Sequence, residues 1–177
     1  NFKPQFAYVE DRSTFEDQKD TSDITFLNGD SSLKELIEHD DVDVIISAIS
    51  GFAGLKATYL ASSTGKKILL ANKESIVAGG DLITARAKKF NSKIIPIDSE
   101  HNAIFQCLSG QRSPDDVQNI TITASGGPFI GKKISDLKDV TKDDALNHPN
   151  WDMGSKISID SATLVNKCLE LIEAKYL

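Results

Sequence analysis

The sequence predicts an α/β fold, a parallel sheet covered by helices, and three observations carry that expectation. Short Val- and Ile-rich runs alternate with longer amphipathic segments, the pattern of parallel strands joined by crossover helices. One run, Val42 to Ile49, is apolar almost throughout, as a strand buried on both faces of a parallel sheet would be. The strand-helix-strand unit then repeats through Lys67–Ala71 and Lys93–Ile97.

Taken in order, Phe6–Val9 and Ile24–Leu27 read as strands, and Asp30, Ser31 and Ser32 offer N-caps for a helix through Leu33, Leu36 and Ile37. After the strand Val42–Ile49, a helix Leu55–Ser63 is stopped by Gly65. The strand Lys67–Ala71, the helix Ser75–Phe90 and the strand Lys93–Ile97 follow. Beyond Ile97 the alternation loosens, so a domain change is placed there. A helix Asn102–Leu108, a polar stretch Gly110–Asp116, a strand Ile120–Ala124 and a Gly-Gly-Pro turn at Gly126–Pro128 lead to a short capped helix, Thr141–Asn147. His148–Gly154 reads as a loop, and Ser161–Leu177 as one longer helix.

Composition narrows the classes. The 177 residues suffice for a real core. A net charge of −6 offers no general field for nucleic acid or an anionic membrane surface, so any anionic ligand needs a local cluster. The longest apolar runs fall well short of the ~20 residues that span a bilayer. Cys107 and Cys168 are too few for a disulfide framework and read as buried reduced thiols. No signal-like start is visible, which fits a cytoplasmic protein or a piece whose natural start has been removed.

Candidate chemistry lies at five places, each with a plainer alternative. Asp98 and Glu100 flank Ser99 just after a strand, at the carboxyl end where open α/β sheets bind ligands. Two carboxylates there suit a hard divalent cation, or merely cap the next helix. Along the last helix Thr163, Asn166, Lys167 and Glu170 share one face, which could hold a phosphate and a metal or be a solvated face with a few stabilising polar pairs. The turn Ala124–Phe129 could present Ser125 and backbone N–H groups to an anion, or be a tight turn and no more. His148 and Trp151 sit in a loop that could close over a ligand or pack permanently. Lys73, at a strand's carboxyl edge, could meet substrate or be ion-paired, while His39 and His101 read as ordinary residues. Neither standard glycine-rich nucleotide loop is present.

Leu70–Ser75 (Leu-Ala-Asn-Lys-Glu-Ser), Pro96–Gln106 with its Asp-Ser-Glu-His-Asn, the Ala124–Phe129 turn, His148–Gly154, Lys156–Thr163 and Asn166-Lys167 together resemble the 1-deoxy-D-xylulose 5-phosphate reductoisomerase family. The resemblance runs through nearly the whole chain and is weaker from Asn1 to Asp41. It implies a parallel Rossmann-like sheet with helices (residues 1–97, part of an NADPH-binding domain), followed by part of an α+β catalytic domain (98–177). It further implies NADPH and Mg2+ or Mn2+ as cofactors and 1-deoxy-D-xylulose 5-phosphate, a phosphorylated deoxysugar, as substrate. The product would be 2-C-methyl-D-erythritol 4-phosphate, in the non-mevalonate isoprenoid route.

By the same resemblance Asp98, Glu100 and Glu170 are metal ligands, and Ser125, Ser161, Asn166 and Lys167 hold the phosphate. Lys73, Ser99 and Glu100 contact sugar hydroxyls, His148 and Trp151 close over the substrate, and Asn72, Glu74 and Gly154 lie near NADPH. Lys73, Glu100, His148 and Trp151 would act in catalysis, and Glu170 would also line the substrate site. The family's phosphate loop and adenosine-reading segment would precede Asn1, and its helical domain would follow Leu177. A homodimer is implied, in the cytoplasm or in a plastid-type organelle if a transit peptide has been removed. Two alternatives stand beside this reading: another two-domain dehydrogenase, and a non-catalytic phosphosugar-binding or dimerisation fragment.

Overall fold

The computed structural model describes residues 2–18, 23–110 and 113–177. It forms two compact units, Asn1–Ile95 and Pro96–Leu177.

In the first unit β1 (Phe6–Tyr8) lies parallel to β2 (Thr25–Leu27), with Phe6 opposite Thr25. The short helix α1 (Arg12–Gln18) joins them. It carries no apolar stripe that sequence patterning could detect, and Asp11 starts it by accepting from the Thr14 amide at 2.7 Å. Helix α2 (Asp30–Glu38) follows. A second sheet has the order β3 (Val44–Ser47), β4 (Lys67–Leu70), β5 (Lys93–Pro96), with β3 parallel to β4 and Val44 opposite Lys67. The crossovers are α3 (Gly54–Ala61) and α4 (Lys73–Phe90), which pack against each other.

That order corrects one expectation. Right-handed crossovers between sequential strands put both helices on the same face. Ile45 and Ser47 of β3 therefore face the packed side, while Val44 and Ile46 are 42% and 65% exposed instead of buried. The core gathers Ile37, Ala61 and Ile68, with Leu33, Ala57, Leu60 and Ile94 around them. Each fully buried Ile or Leu of this kind contributes about 1.5–3 kcal/mol. The one buried hydroxyl pair between β3 and α3 is satisfied: Ser47 and Thr58 meet at 2.6 Å, and Thr58 also bonds the Gly54 carbonyl at 2.9 Å.

Helix α4 starts two residues earlier than its apolar pattern suggests, because Asn72 caps it by accepting from the Ser75 amide at 3.0 Å. Asn91, left-handed at φ 58°, closes its other end.

The second unit holds α5 (Ser99–Leu108), α6 (Lys142–Leu146), α7 (Ser155–Ala162) and α8 (Val165–Ala174). Two expectations fail here. Ile120–Ala124 forms no strand: no described segment pairs with it, Ile120 is exposed, and the Thr123 carbonyl is taken by the Lys167 ammonium. The expected single helix from Ser161 is two helices, broken where Leu164 turns left-handed at φ 61°. Thr163 caps α7 and so leaves the stripe it was assigned to on the later helix. The start of α7 at Ser155 escaped sequence reading because its residues lack a clear apolar period. By contrast, α6 is bounded as expected, by a capping box in which the Thr141 hydroxyl accepts from the Asp144 amide and Asp144 accepts from the Thr141 amide at 2.8 Å. Neither cysteine forms a disulfide, and both are exposed, not buried.

Among the described residues no helix is long and apolar enough to cross a membrane.

Candidate metal and anion site

In the second unit, the first turn of α5 carries Asp98 as N-cap and Glu100 two residues on, while α8 brings Glu170 in from the far end of the sequence. Ligand oxygens of the three carboxylates all lie within 4.8 Å of one another. Two oxygens on opposite sides of an octahedral Mg2+ at ~2.1 Å are about 4.2 Å apart, so small side-chain rotations suffice for one ion. Three hard oxygen donors, one of them fully buried, fit Mg2+ or Mn2+ far better than a soft metal.

Three neighbours hold these carboxylates in place. Ser99 donates its hydroxyl to Glu100 at 2.6 Å. Asn166 donates its amide to Glu170 at 2.5 Å. Lys167 donates to Glu100 at 2.8 Å, to Glu170 at 2.5 Å and to the Thr123 carbonyl at 2.5 Å. Burial alone would raise the Glu100 pKa, but its bonds from Lys167 and Ser99 bring it below the ordinary 4.5. Burial alone would lower that of Lys167, and the two carboxylates hold it above the ordinary 10.5. The ammonium thus supplies the positive charge that lets Glu100 and Glu170 sit together.

Behind this group lies a pair that sequence reasoning passed over. His101 is buried, its Nε2 donates to the Glu170 carbonyl at 2.9 Å, and its Nδ1 is 3.5 Å from Glu173 and 3.8 Å from Asp98. Burial opposes its charge, but Asp98 and Glu173 outweigh that and raise its pKa above 6.5. The helical spacing was the available signal: His101 is three residues after Asp98, and Glu173 three after Glu170.

A second cluster gathers the other anion candidates. His148 Nε2 is 3.0 Å from the Ser125 hydroxyl, which is 3.4 Å from that of Ser161. Consecutive left-handed glycines, Gly126 and Gly127, shape the turn that sets Ser125 there. A Cβ on Gly127 would stand 3.0 Å from the Ser161 carbonyl, so the turn seats directly on the end of α7. Asn166 and Lys167, assigned from the sequence to the same anion, bond the carboxylates here, and Lys167 also reaches Thr123, two residues before Ser125. Trp151 is 63% exposed. Gly154 caps α7 with its carbonyl accepting from the Ser158 amide, and its position has room for a side chain.

In the first unit Asn72, Lys73 and Glu74 stand at the carboxyl end of β4. The Asn72 amide is committed internally, donating to the carbonyls of Ile49 at 2.6 Å and Gly51 at 2.9 Å and to Glu74 at 3.0 Å. A Cβ on Gly54 would clash with that amide and with the Ile49 carbonyl, so this glycine lets the segment close around Asn72. Lys73 is buried at the first position of α4.

Comparison with known proteins agrees across both units. Residues 1–80 match the family model for 1-deoxy-D-xylulose 5-phosphate reductoisomerase, and residues 94–177 match that for its C-terminal domain. The chain is 50% identical over 179 residues to the reductoisomerase of Francisella tularensis subsp. novicida, covering 99% of this chain and 46% of that protein. It is 45% identical to that of Vesicomyosocius okutanii, with the same coverage. A DOX-P reductoisomerase crystallised with NADPH, fosmidomycin and magnesium superposes with a TM-score of 0.84 at 45% identity, covering 98% of this chain and 46% of that one. The Zymomonas mobilis enzyme in complex with NADPH gives 0.82 at 41% identity, covering 97% and 44%. The chain therefore spans slightly less than half the length of the relatives it matches.

Proposed function

This chain belongs to the 1-deoxy-D-xylulose 5-phosphate reductoisomerase family, and on that premise we propose that it contributes the metal and phosphate site of an NADPH- and divalent-metal-dependent oxidoreductase. The reaction is the rearrangement and reduction of 1-deoxy-D-xylulose 5-phosphate to 2-C-methyl-D-erythritol 4-phosphate. The observation that carries this is the convergence of Asp98, Glu100 and Glu170 beside Lys167.

When bound, the divalent ion would supply Lewis-acid polarisation of the substrate and NADPH the hydride. The protein's own residues do the rest. Asp98, Glu100 and Glu170 hold the ion, and Ser99 keeps Glu100 oriented while contacting a sugar hydroxyl. Ser125 and Ser161 donate to the phosphate, and Asn166 and Lys167, which stand beside Glu170 and Glu100, would complete that pocket. Trp151, exposed in a loop without a core of its own, gains an apolar contact and excludes water when that loop folds over bound substrate. Lys73 meets the sugar hydroxyls, and Asn72, Glu74 and Gly154 line the NADPH side. The role of Asn72 is to hold the segment around Gly51, since its amide is already used.

Manganese serves as well as magnesium, because both favour oxygen ligands. A cytoplasmic setting agrees with two exposed cysteines that form no disulfide. A homodimer agrees with the exposed Leu164, Val165 and Leu171.

The test is NADPH oxidation on addition of the deoxysugar phosphate with Mg2+ or Mn2+, in the parent and in Glu170→Gln. A loss of at least about a hundredfold in kcat/KM is expected, since Lewis-acid stabilisation is worth several kcal/mol. Full turnover by the variant would remove Glu170 from the metal site.

A further inference from the structure

His148 is 8% exposed, and both of its ring nitrogens are engaged. Nδ1 accepts two backbone N–H groups of the following loop, those of Asn150 at 3.2 Å and Trp151 at 3.1 Å. A nitrogen that accepts has its lone pair free, so Nδ1 carries no proton. The neutral ring must then carry its proton on Nε2, which donates to the Ser125 oxygen at 3.0 Å. With its oxygen occupied as an acceptor, Ser125 points its own O–H at Ser161 or at whatever anion lies between them.

From this geometry we propose that His148 is a positioning residue working as the neutral Nε2–H tautomer, and that its two nitrogens do separate jobs. Nδ1 caps the turn that sets the path of Trp151, much as an Asn or Asp side chain caps a turn. Nε2 fixes the Ser125 hydroxyl as a donor. The rigid ring is thus the link through which an anion between Ser125 and Ser161 and the conformation at Trp151 sense each other.

Only the anion half rests on the phosphate reading given above, and the test separates the two. Histidine 15N shifts of the unmodified protein, with the His148 signals assigned by their loss in His148→Asn, report the tautomer directly. A pyridine-type Nδ1 and a pyrrole-type Nε2 are expected. A proton on Nδ1, in either the other tautomer or the imidazolium, overturns the proposal whatever binds nearby.

Two substitutions then dissect the ring, with inorganic phosphate as the probe and emission of Trp151, the single Trp of the sequence, as the loop reporter. In the parent, phosphate shifts the emission. His148→Asn keeps an acceptor at the Nδ1 position, so emission without phosphate stays at the parent value, while phosphate affinity falls about tenfold. His148→Gln keeps a donor toward Ser125, so affinity is retained but emission without phosphate moves. In both variants the phosphate-induced shift disappears. Variants that lose both properties together would show that the ring is only a packing element, and would overturn the proposal. If Ser125→Ala leaves phosphate affinity unchanged, the phosphate reading fails, and the tautomer result still decides the capping role.

Discussion

Lys167 is the residue whose removal should expose the logic of the carboxylate cluster most clearly. Its ammonium bonds Glu100 and Glu170, the latter fully buried, while the Lys167 and Glu100 side chains keep 23% and 18% of their surface. Removing one partner of a buried ion pair costs about 3–5 kcal/mol, because the remaining charge is left uncompensated. With about a fifth of two partners still in water, the lower figure applies. Lys167→Met, which keeps the apolar stem, should therefore cost about 3 kcal/mol without divalent cation, or about 6–12 °C in Tm at the scale of a 150–250-residue protein. A divalent ion replaces the missing charge. Thermal unfolding with EDTA and with saturating Mn2+ should show a larger metal-induced rise in the variant than in the parent, by about that same interval. Equal Tm values in EDTA would show that the ammonium contributes nothing to holding the carboxylates together. A deficit that Mn2+ leaves untouched would show that metal and ammonium do not share these oxygens.

Gly127→Ala should cost about 1–3 kcal/mol, from strain at φ 63° and crowding on the Ser161 carbonyl, and should weaken phosphonate binding through displaced Ser125; chemical denaturation and calorimetry measure the two. Asn72→Ala should destabilise the first unit by about 2–4 kcal/mol, since it strands the Ile49 and Gly51 carbonyls and uncaps α4; hydrogen exchange at Ser75 would report the uncapping. The Asp144 carboxyl sits below its ordinary 3.8 because Thr141 donates to it from its hydroxyl and its amide. Its cap is therefore fully present above 3.8 and lost as pH falls through the lower folded value, so α6 amides should lose protection only in that acid window, and Asp144→Asn should make them insensitive to it.

The strands of the first unit and its helices α2, α3 and α4 were legible because apolar periodicity and glycine stops are local signals, whereas α1, without an apolar stripe, was not. The exposure of Val44 and Ile46 was not, since it depends on which face both crossovers take. In the second unit the capping box at Thr141 could be read directly, whereas the break at Leu164 could not: a left-handed leucine is a tertiary choice that propensity argues against. Asp98 and Glu100 stood out by their place after a strand and Glu170 by its helix face, but spacing alone could not join them across seventy residues of chain. Polar pairs along that helix face were one of its two readings, but that Lys167 also bonds Glu100 was hidden, because a helix face says which residues are neighbours within the helix and not which partner arrives from elsewhere. His101 was passed over because a lone histidine is usually structural; its meaning comes only from Glu173 arriving on another helix.

Anomalous diffraction from crystals soaked in Mn2+ shows whether Asp98, Glu100 and Glu170 form one divalent-metal site. Two sets of oxygen and nitrogen donors compete for the ion, because Asp98 also stands with His101 and Glu173 in a group of the same compactness. A peak is expected about 2.1–2.2 Å from a carboxylate oxygen of each of Asp98, Glu100 and Glu170, with the Lys167 ammonium withdrawn from Glu170. A peak bound instead by His101 and Glu173, or none at saturating Mn2+, would contradict it.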